Sequence, residues 1–277
     1  MPGYQIMGVV NVTPDSFSDG GQFDDAEAAI RHARRLIDEG ADIVDVGGES
    51  TRPGAAPVPV EEELGRVIPV IEGLNGARIS IDTMKLAVAE RAVEAGASYV
   101  NDVTAFRHDP DLAGFVADRG LECCLMHMLG EPRTMQHDPR YDDVVSDVKS
   151  FLEERMDAAI KAGVKEDRIQ LDPGIGFGKT LRHNLELLNR LDEIVAIGRP
   201  VVLGTSRKSF LGKLTGRDVT GRVHGTVATC VLGLERGARV FRVHDVAAVA
   251  DGLAVAAATL LRVRPETPPP LSNRAPR

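Results

Sequence analysis

The chain has 277 residues, of which 43% are hydrophobic and 27% are charged, a composition typical of globular proteins. Its formal net charge of −8 argues against a general nucleic-acid or membrane-surface binder, because such proteins normally carry a basic face. Its apolar runs are far shorter than the roughly 20 residues of a membrane span, and no basic segment precedes the apolar stretch at the N-terminus, so we expect neither a membrane segment nor a signal peptide.

Short apolar runs recur along the chain and are nearly continuous rather than alternating. This is the pattern of parallel strands that are covered on both faces. The runs predict strands at residues 5–12, 42–48, 79–83, 99–103, 123–128, 169–174, 200–206 and 238–244.

Longer amphipathic segments lie between these runs. The first, 26–40, has its apolar residues at helical spacing and ends at Gly40, a favoured residue just past a helix C-terminus. Pro69 interrupts the second helix and is expected to kink it. Further helices are predicted at 61–74, 87–96, 109–120, 144–163, 183–197, 226–237 and 246–263.

Eight strands that alternate with eight helices predict a single closed (β/α)8 barrel of the TIM type, made of parallel strands. An open, doubly wound sheet is the alternative. Long loops follow the first two strands, at 15–25 and 49–59, and another spans 129–141; such loops are often functional. The predicted barrel occupies residues 1–264, and the Pro-rich tail 265–277 is expected to be disordered.

The three cysteines are Cys123, Cys124 and Cys230, and they lie in apolar runs without the spacing of metal ligands. Buried free thiols are the simplest interpretation, and free thiols are typical of reducing compartments. Together with the expected lack of a signal peptide, this predicts a cytoplasmic protein.

Polar side chains follow nearly every predicted strand. In a (β/α)8 barrel, chemistry takes place at these C-terminal strand ends. Taken singly, an Asp or Asn at such a position can equally be a helix N-cap or a turn former. The residues are Asn11, Asp82, Asn101, Asp102, Asp172, Ser206, Arg207, Lys208, Arg242 and His244, and the second strand runs into the loop 47–52.

Two other features favour a structural interpretation. His127, between two methionines, is expected to be a hydrogen-bonded histidine of the core or mouth rather than a catalyst. The glycine-rich run 174–179 has neither the Walker spacing nor the dinucleotide fingerprint, and a tight turn before a helix explains its glycines equally well.

Two pairs of cations favour an anion site. Arg207 and Lys208 fall where a helix should begin, although cations are disfavoured beside the positive end of a helix dipole. Arg242 and His244 are two residues apart, so in a strand both side chains leave on the same face. An inward-facing pair of this kind is costly unless it meets an anion or a carboxylate. These residues alone predict a barrel enzyme for a polar, phosphorylated ligand.

Eight segments form an ordered set of motifs. They are MGVVNVTPDSFSDGG (7–21), DIVDVGGESTRPGA (42–55), SIDT (80–83), VNDV (100–103), LMHM (125–128), LDPGIGFGKT (171–180), GTSRKSFLG (204–212) and RVHD (242–245). Together they resemble the dihydropteroate synthase family, and NVTPDSFSDGG with ESTRPGA and SRKSFLG is a highly specific combination. Residues 104–106 fall where the family is variable, and the proline tail is an addition. The resemblance implies a (β/α)8 barrel that joins p-aminobenzoate to a dihydropterin diphosphate, with Mg²⁺, in folate synthesis.

The resemblance also implies a deep pterin slot. A pterin presents its 2-amino group and the adjacent ring N–H as parallel donors, which a carboxylate accepts in a bidentate manner, and Asp172 matches the family residue with this role. Lys208 is implied to donate to the pterin carbonyl and ring nitrogen. The other implied slot residues are Asp82, Asn101, Phe177 and Gly204.

The diphosphate and p-aminobenzoate regions are implied by the same motifs. Asn11 is the implied protein ligand of Mg²⁺, with diphosphate oxygens and waters as the others, which is normal for magnesium at a phosphate site. The implied p-aminobenzoate carboxylate lies near a helix start at Ser209. The implied diphosphate contacts are Thr51, Arg52, Arg242 and His244, and the implied p-aminobenzoate contacts are Phe17, Thr51, Pro53, Phe177 and Ser209.

The implied reaction breaks the bond between the pterin methylene and the diphosphate oxygen. Departure before attack is plausible, because the electron-rich dihydropterin ring delocalises positive charge at that carbon. Mg²⁺, Arg242 and His244 are implied to stabilise the leaving diphosphate, and Lys208 to hold the pterin. Asp19, on the first long loop, is implied to close over the cation and the amine and to exclude water.

Two alternative functions stay open at this point. A barrel of the methyltetrahydrofolate methyltransferase kind uses a similar Asp–Asn–Asp slot but does not need SRKSFLG or RVHD. A catalytically dead barrel that serves as a binding or scaffold subunit usually loses some mouth residues, whereas none of the motif is missing here. The family expectation is a homodimer, with which the apolar segment 226–234 is compatible.

Overall fold

The structure is a computed structural model that describes residues 3–13, 22–51, 54–131 and 133–260. The predicted tail 265–277 and most of the loop after the first strand therefore lie outside the described residues. Within the described part, no helix combines the length and the apolar character that crossing a bilayer requires.

The strands form one parallel sheet that closes almost completely into a barrel. Its order is β6-β5-β4-β3-β2-β1-β8-β7, and the isolated parallel bridge between Leu171 and Val201 joins the two outermost strands. The closed barrel, and not the open sheet, is confirmed. The strands are β1 Gln5–Asn11, β2 Ile43–Gly47, β3 Ile79–Asp82, β4 Tyr99–Asp102, β5 Glu122–Met126, β6 Ile169–Asp172, β7 Val202–Leu203 and β8 Val240–Val243.

Helices lie between the strands and cover the outside of the barrel. Pro69 lies inside α2 without ending it. The predicted helix 183–197 is two helices, because the backbone of Arg190 leaves the helical region between them. The helices are α1 Gln22–Asp38, α2 Val60–Glu72, α3 Leu86–Glu94, α4 Asp111–Arg119, α5 Val144–Lys161, α6 Leu181–Asn189, α7 Leu191–Val195, α8 Ser209–Thr215, α9 Val223–Glu235 and α10 Val246–Leu260.

The two faces of each strand have different surroundings. Outward residues such as Val10, Val44 and Ile81 belong to the large apolar core between strands and helices. Inward residues form a separate, smaller apolar cluster inside the barrel. Because side chains alternate along a strand, the next inward positions toward the C-terminal ends share that interior. The inner cluster contains Met7, Ile43, Tyr99, Cys124, Val202 and Val240.

A buried ion-pair network anchors the start of the loop after β2. Lys85 Nζ lies 2.5 Å from Glu63 Oε2 and 2.7 Å from Glu49 Oε2. Thr83 Oγ1 donates to the other oxygen of Glu63 at 2.8 Å. The Glu63 side chain is fully buried, so its charge depends on these partners. The network thereby ties the GGEST segment to α2 and to the start of α3.

We expect Lys85→Met to destabilise the barrel by about 3–5 kcal/mol, because it leaves the buried Glu63 carboxylate without its cation. Urea unfolding followed by circular dichroism measures this loss. The double variant Lys85→Met with Glu63→Gln should recover part of it. Arg31→Met is the matched control, since Arg31 pairs with Glu27 at the surface and both side chains are largely exposed. Equal unfolding midpoints for Lys85→Met and Arg31→Met would contradict the anchoring role.

Candidate active site

Polar side chains on five strands and at the start of α8 converge inside the barrel, on the C-terminal side of the inner apolar cluster. We call them the interior cluster. Because it lies at the end where barrel enzymes carry their chemistry, it is the candidate active site. The interior cluster consists of Asp45, Asp82, Asn101, Asp172, Lys208 and Arg242.

One half of the interior cluster is built around the guanidinium of Arg242. Its Nε donates to Asp45 Oδ2 at 2.6 Å, and its Nη2 donates to Asp82 Oδ2 at 2.5 Å. Asn101 Nδ2 donates to the same oxygen of Asp45 at 3.2 Å. The inward-facing arginine is therefore compensated by carboxylates of the protein itself. The sequence predicts that Arg242 meets an anion or a carboxylate, and in the structure it meets the carboxylates of Asp45 and Asp82.

The charges of this half follow from burial and from mutual pairing. Burial raises the pKa of Asp82 to about 7, with Asp45 adding to the rise and Arg242 opposing it. Burial opposes the charge of Arg242, but Asp45 and Asp82 outweigh that effect and raise the pKa of the guanidinium. Arg242 accordingly stays protonated throughout the neutral range.

The other half is a slot between Asp172 and Lys208. Asp172 Oδ1 accepts a hydrogen bond from Gly174 N at 2.7 Å. A β-carbon placed on Gly204 would lie 3.7 Å from both Asp172 Oδ2 and Lys208 Nζ, so the glycine keeps the space between the carboxylate and the ammonium clear. Lys208 Nζ donates to Ile175 O and lies 4.7 Å from the centroid of the Phe177 ring.

Burial shifts both charged groups of this slot toward their neutral forms. It lowers the pKa of Lys208 to about 8, where Arg242 adds to the decrease and Asp172 opposes it. It raises the pKa of Asp172, although Lys208 and Arg242 act in the opposite direction. The two halves of the interior cluster are therefore electrostatically coupled.

The glycine-rich run after β6 is a turn and not a phosphate loop. Gly174, Gly176 and Gly178 all have positive φ, and a β-carbon on Gly174 would overlap the carbonyl oxygen of His127. Lys179, two residues after Phe177, is buried; its Nζ lies 2.9 Å from His127 Nδ1 and donates to Phe177 O at 3.0 Å. This turn holds the Phe177 ring beside Lys208.

His127 is the hydrogen-bonded histidine that the sequence predicts. It is buried, and its ring stacks edge-to-face on Phe151 with the centroids 4.8 Å apart. Burial, with the neighbouring Lys179, lowers its pKa to about 2. A histidine that stays neutral and paired in this way is not suited to proton transfer near pH 7.

Arg207 has its compensating anion within the protein. Its guanidinium forms a bidentate pair with Asp245, at 2.9 Å from Nε and 2.5 Å from Nη2. The cation at the start of α8 is thus compensated within the protein by a residue that follows β8, and it does not need an anionic ligand. Lys208, next to it, points into the interior cluster.

The other predicted site residues lie around the mouth. Asn11 ends β1 beside Gly47, Ser209 is the first residue of α8 and is exposed, and Thr51 ends a described segment. His244 follows β8, and its Nδ1 lies 3.0 Å from Ser206 Oγ. Within the described ranges, no three His, Cys, Asp or Glu side chains come together as ligands for a metal ion. The remaining predicted residues, Phe17, Asp19, Arg52 and Pro53, lie outside the described residues.

Asp45 is the member of the interior cluster that the sequence argument missed. It is fully buried and occupies the middle of β2. A lone charge within an apolar run is a usable signal for such a residue. Strand ends predict only the residues at the mouth, and Asp45 lies two residues before the end of β2.

Comparisons with known proteins identify the family. The family model described as "pterin binding enzyme" matches residues 7–244. A dihydropteroate synthase of Clostridium beijerinckii is 48% identical over 245 residues, which cover 87% of this chain and 88% of the relative.

Solved structures show the same resemblance. A Xanthomonas albilineans dihydropteroate synthase with 4-aminobenzoic acid is 50% identical, with a TM-score of 0.88, and the match covers 95% of this chain and 94% of that one. A structure of the enzyme from the same organism, in complex with 7,8-dihydropteroate, is 47% identical, with a TM-score of 0.84 and a match covering 95% of both chains. The chain therefore belongs to the pterin-binding enzyme family and, within it, to the dihydropteroate synthases.

Proposed function

We propose that the chain condenses 6-hydroxymethyl-7,8-dihydropterin diphosphate with p-aminobenzoate, giving 7,8-dihydropteroate and diphosphate in folate biosynthesis. One observation carries the proposal. The slot between Asp172 and Lys208, kept open by Gly204, lies beside Arg242, which has N–H donors that are not used by the described part of the protein. Structures of related enzymes from Xanthomonas albilineans with 4-aminobenzoic acid and with 7,8-dihydropteroate support the choice of substrate and product.

The pterin is placed in the slot between Asp172 and Lys208. Asp172 Oδ1 is already engaged with Gly174 N, and Oδ2 faces the space above Gly204. The carboxylate can accept the parallel N–H donors of the pterin, while Lys208 donates to the carbonyl and the ring nitrogen on the opposite side. Phe177 lies against Lys208 and forms a wall for the ring. Asp82 and Asn101 complete the rim.

The diphosphate is placed against Arg242 at the mouth. A guanidinium has five N–H donors, and two of those of Arg242 are used by Asp45 and Asp82. The remaining donors on Nη1 and Nη2 form the edge that binds phosphate in a bidentate manner. His244, Thr51 and Arg52 are proposed to provide the other contacts.

Mg²⁺ is proposed as the cofactor, with Asn11 as its protein ligand. The interior cluster formally has three carboxylates, Asp45, Asp82 and Asp172, against two cations, Lys208 and Arg242. Even with Asp82 protonated, as its pKa of about 7 allows, the carboxylates match the cations and no positive charge is left over for a polyanion. A divalent cation beside the diphosphate therefore fits the charges that are present. An amide oxygen with few other protein ligands suits magnesium, which keeps waters and phosphate oxygens. When bound, Mg²⁺ supplies charge stabilisation to the departing diphosphate.

The p-aminobenzoate is proposed to lie between the two long loops. Among the described residues, its proposed contacts at the mouth are Phe177 and Ser209, and Thr51 is proposed to reach it from the loop after β2. The start of α8 at Ser209 offers backbone N–H groups to its carboxylate. The proposed contacts outside the described residues are Phe17 and Pro53.

In the proposed reaction, the bond between the pterin methylene carbon and the diphosphate oxygen breaks first, and the electron pair leaves with the oxygen. Arg242 and His244 stabilise the oxygen that gains charge, and Asp82 and Asp172 favour the cationic pterin. The neutral arylamine nitrogen then attacks the methylene carbon, and the ammonium that forms gives its proton to the departing diphosphate. Because an arylamine is a weak base, no strong general base is required. Asp19 is proposed to close over the amine and to exclude water.

The oligomeric state and the location are proposals of the same kind. The apolar helices α9 and α10 expose Leu232, Val255 and Leu260, which is compatible with a homodimer across this face. The three cysteines are buried and unpaired, as expected for a protein of the cytoplasm.

The proposed activity predicts diphosphate release that requires both Mg²⁺ and p-aminobenzoate. A coupled assay that detects diphosphate measures it directly, with omission of each component as the control. Turnover of methyltetrahydrofolate with a corrinoid acceptor, without diphosphate release, would instead indicate the methyltransferase alternative. Binding of both substrates without any turnover would indicate the scaffold alternative.

Substitutions in the two halves of the interior cluster should affect the binding of different ligands. We expect Asp172→Ala to abolish pterin binding, because the paired donors of the pterin lose their acceptor. Arg242→Ala should lower turnover and weaken the binding of the diphosphate product, at a cost of roughly 2–5 kcal/mol for a charged hydrogen-bonded pair. Isothermal titration with an unreactive pterin and with diphosphate distinguishes them, and each variant is the control for the other. Tight pterin binding by Asp172→Ala would remove the slot assignment.

Pterin affinity should fall as the pH rises through about 8, because the lowered pKa of Lys208 is about 8. Below that pH the ammonium is present and donates to the pterin; above it the neutral amine loses the charge-assisted bond. Fluorescence titration between pH 6 and about 9.5 measures the dissociation constant on both sides of this transition. Lys208→Gln has no titrating group and should bind more weakly with no such transition. A transition that persists in Lys208→Gln would assign it to another group.

A further inference from the structure

Asp45 is more completely buried than Asp82, Asn101, Asp172 and Arg242, which are assigned to the substrates. It is fully buried in the middle of β2, and its strand neighbours Val44 and Val46 face the apolar core outside the barrel. A charge in such a place is costly to bury, and replacing a buried ion pair by apolar residues is often neutral or stabilising. Stability of the barrel therefore gives little reason for a carboxylate at this position.

The contacts of Asp45 connect the two substrate regions. Its Oδ2 accepts hydrogen bonds from Arg242 Nε on β8 and from Asn101 Nδ2 on β4. Its Oδ1 is buried and has no hydrogen-bond partner among the described residues, and the same holds for the hydroxyl of Ser80, its register neighbour on β3. Within the described structure, only one oxygen of Asp45 accepts hydrogen bonds. Both side chains that donate to it, Arg242 and Asn101, are assigned to the substrates.

Asp102 shows what a purely structural buried aspartate looks like in this fold. It is as fully buried as Asp45 but lies on the outward face of β4. Both of its oxygens are satisfied, by Thr104 N at 2.7 Å, Thr104 Oγ1 at 2.8 Å and Phe106 N at 2.7 Å. These bonds build the turn after β4. Asp45 builds no turn and caps no helix.

The geometry of Arg242 explains what Asp45 contributes. Nε and Nη2 lie on one edge of the planar guanidinium, and this edge is shared between two different carboxylates, Asp45 and Asp82. Without Asp45, both donors of that edge are free to close on Asp82 as a bidentate pair, which is the preferred arrangement of arginine with a single carboxylate. The plane of the guanidinium would then turn, and its remaining donors would leave the mouth.

We propose that Asp45 is a positioning residue that holds Arg242 in the orientation needed to receive the leaving diphosphate, and that holds Asn101 at the pterin. The inference rests on the proposed function. Asp45 would touch no substrate itself. It would fix the position of the diphosphate region relative to the pterin slot.

The test compares substitutions that keep or remove the hydrogen-bond acceptor. Asp45→Ala should lower kcat for diphosphate release by roughly 10- to 100-fold, the effect of losing a hydrogen bond to a charged group. Asp45→Asn keeps one oxygen for Arg242 and Asn101 and should recover most of that loss. Ser80→Ala, in the same layer of the interior, is the matched control and should leave kcat unchanged. Asp45→Ser replaces Asp45→Ala if thermal melts show that the alanine variant does not fold.

A double-mutant cycle decides whether Asp45 acts through Arg242. In an Arg242→Ala background, Asp45→Ala should cause no further loss of kcat at saturating pterin diphosphate, because the group that it positions is gone. A purely structural role would instead give equal losses in both backgrounds, and these losses would follow the fraction of unfolded protein.

The outcomes separate this inference from the proposed function. A wild-type chain that releases no diphosphate overturns the proposed function, and the inference with it. An active wild-type chain whose Asp45→Ala variant stays within about threefold of its kcat overturns the positioning role alone, since that change is below the effect of a hydrogen bond to a charged group. Additive losses in the cycle also overturn it, and non-additive losses with recovery in Asp45→Asn support it.

Discussion

The shared pairing of Arg242 with Asp45 and Asp82 is the interaction on which the candidate site depends. The interior of the barrel is sealed below by an apolar layer, so a charge placed above it must find its counter-charge among the inward residues of other strands. β8 is tied in this way to β2 and β3, which lie far from it in the sequence. The pairing also fixes the direction of the arginine, and therefore decides on which side of the slot an anionic group can be received.

Much of the fold was open to prediction because parallel strands and barrel closure leave strong local patterns. All eight strands were located, and the polar residues after them were expected at one mouth. What could not be predicted depended on partners distant in sequence. The compensating group of Arg207 is Asp245, 38 residues further along the chain, and no local pattern identifies that pair. The break at Arg190 is a single non-helical residue and leaves little periodicity to detect. A helix was expected to begin near Arg207, but the seven residues of α8 are too few to predict where it ends.

For some site residues the sequence predicts only a position at the mouth, and for others it also implies a ligand. Strand-end reasoning identified Asp82, Asn101 and Asp172 as polar groups at the mouth, but only the motifs implied a pterin as their ligand. The structure adds the reason why Gly204 belongs to the motif: any side chain there would approach both Asp172 and Lys208. Asp45 escaped both kinds of reasoning, because it lies in the middle of a strand and its importance depends on Arg242, which follows it by 197 positions.

The closure of the barrel between β6 and β7 is its least hydrogen-bonded junction. β7 has two residues, and it meets β6 through the bridge of Leu171 with Val201 and the bond from Leu171 N to Pro200 O. Asp172 and Gly204, which border the slot, are the residues immediately beyond this junction. A flat bicyclic ring bound there would contact both β6 and β7 and would stabilise a junction that has few backbone hydrogen bonds. Ligand binding would then protect the amides of this one seam from hydrogen exchange more than those of the rest of the barrel.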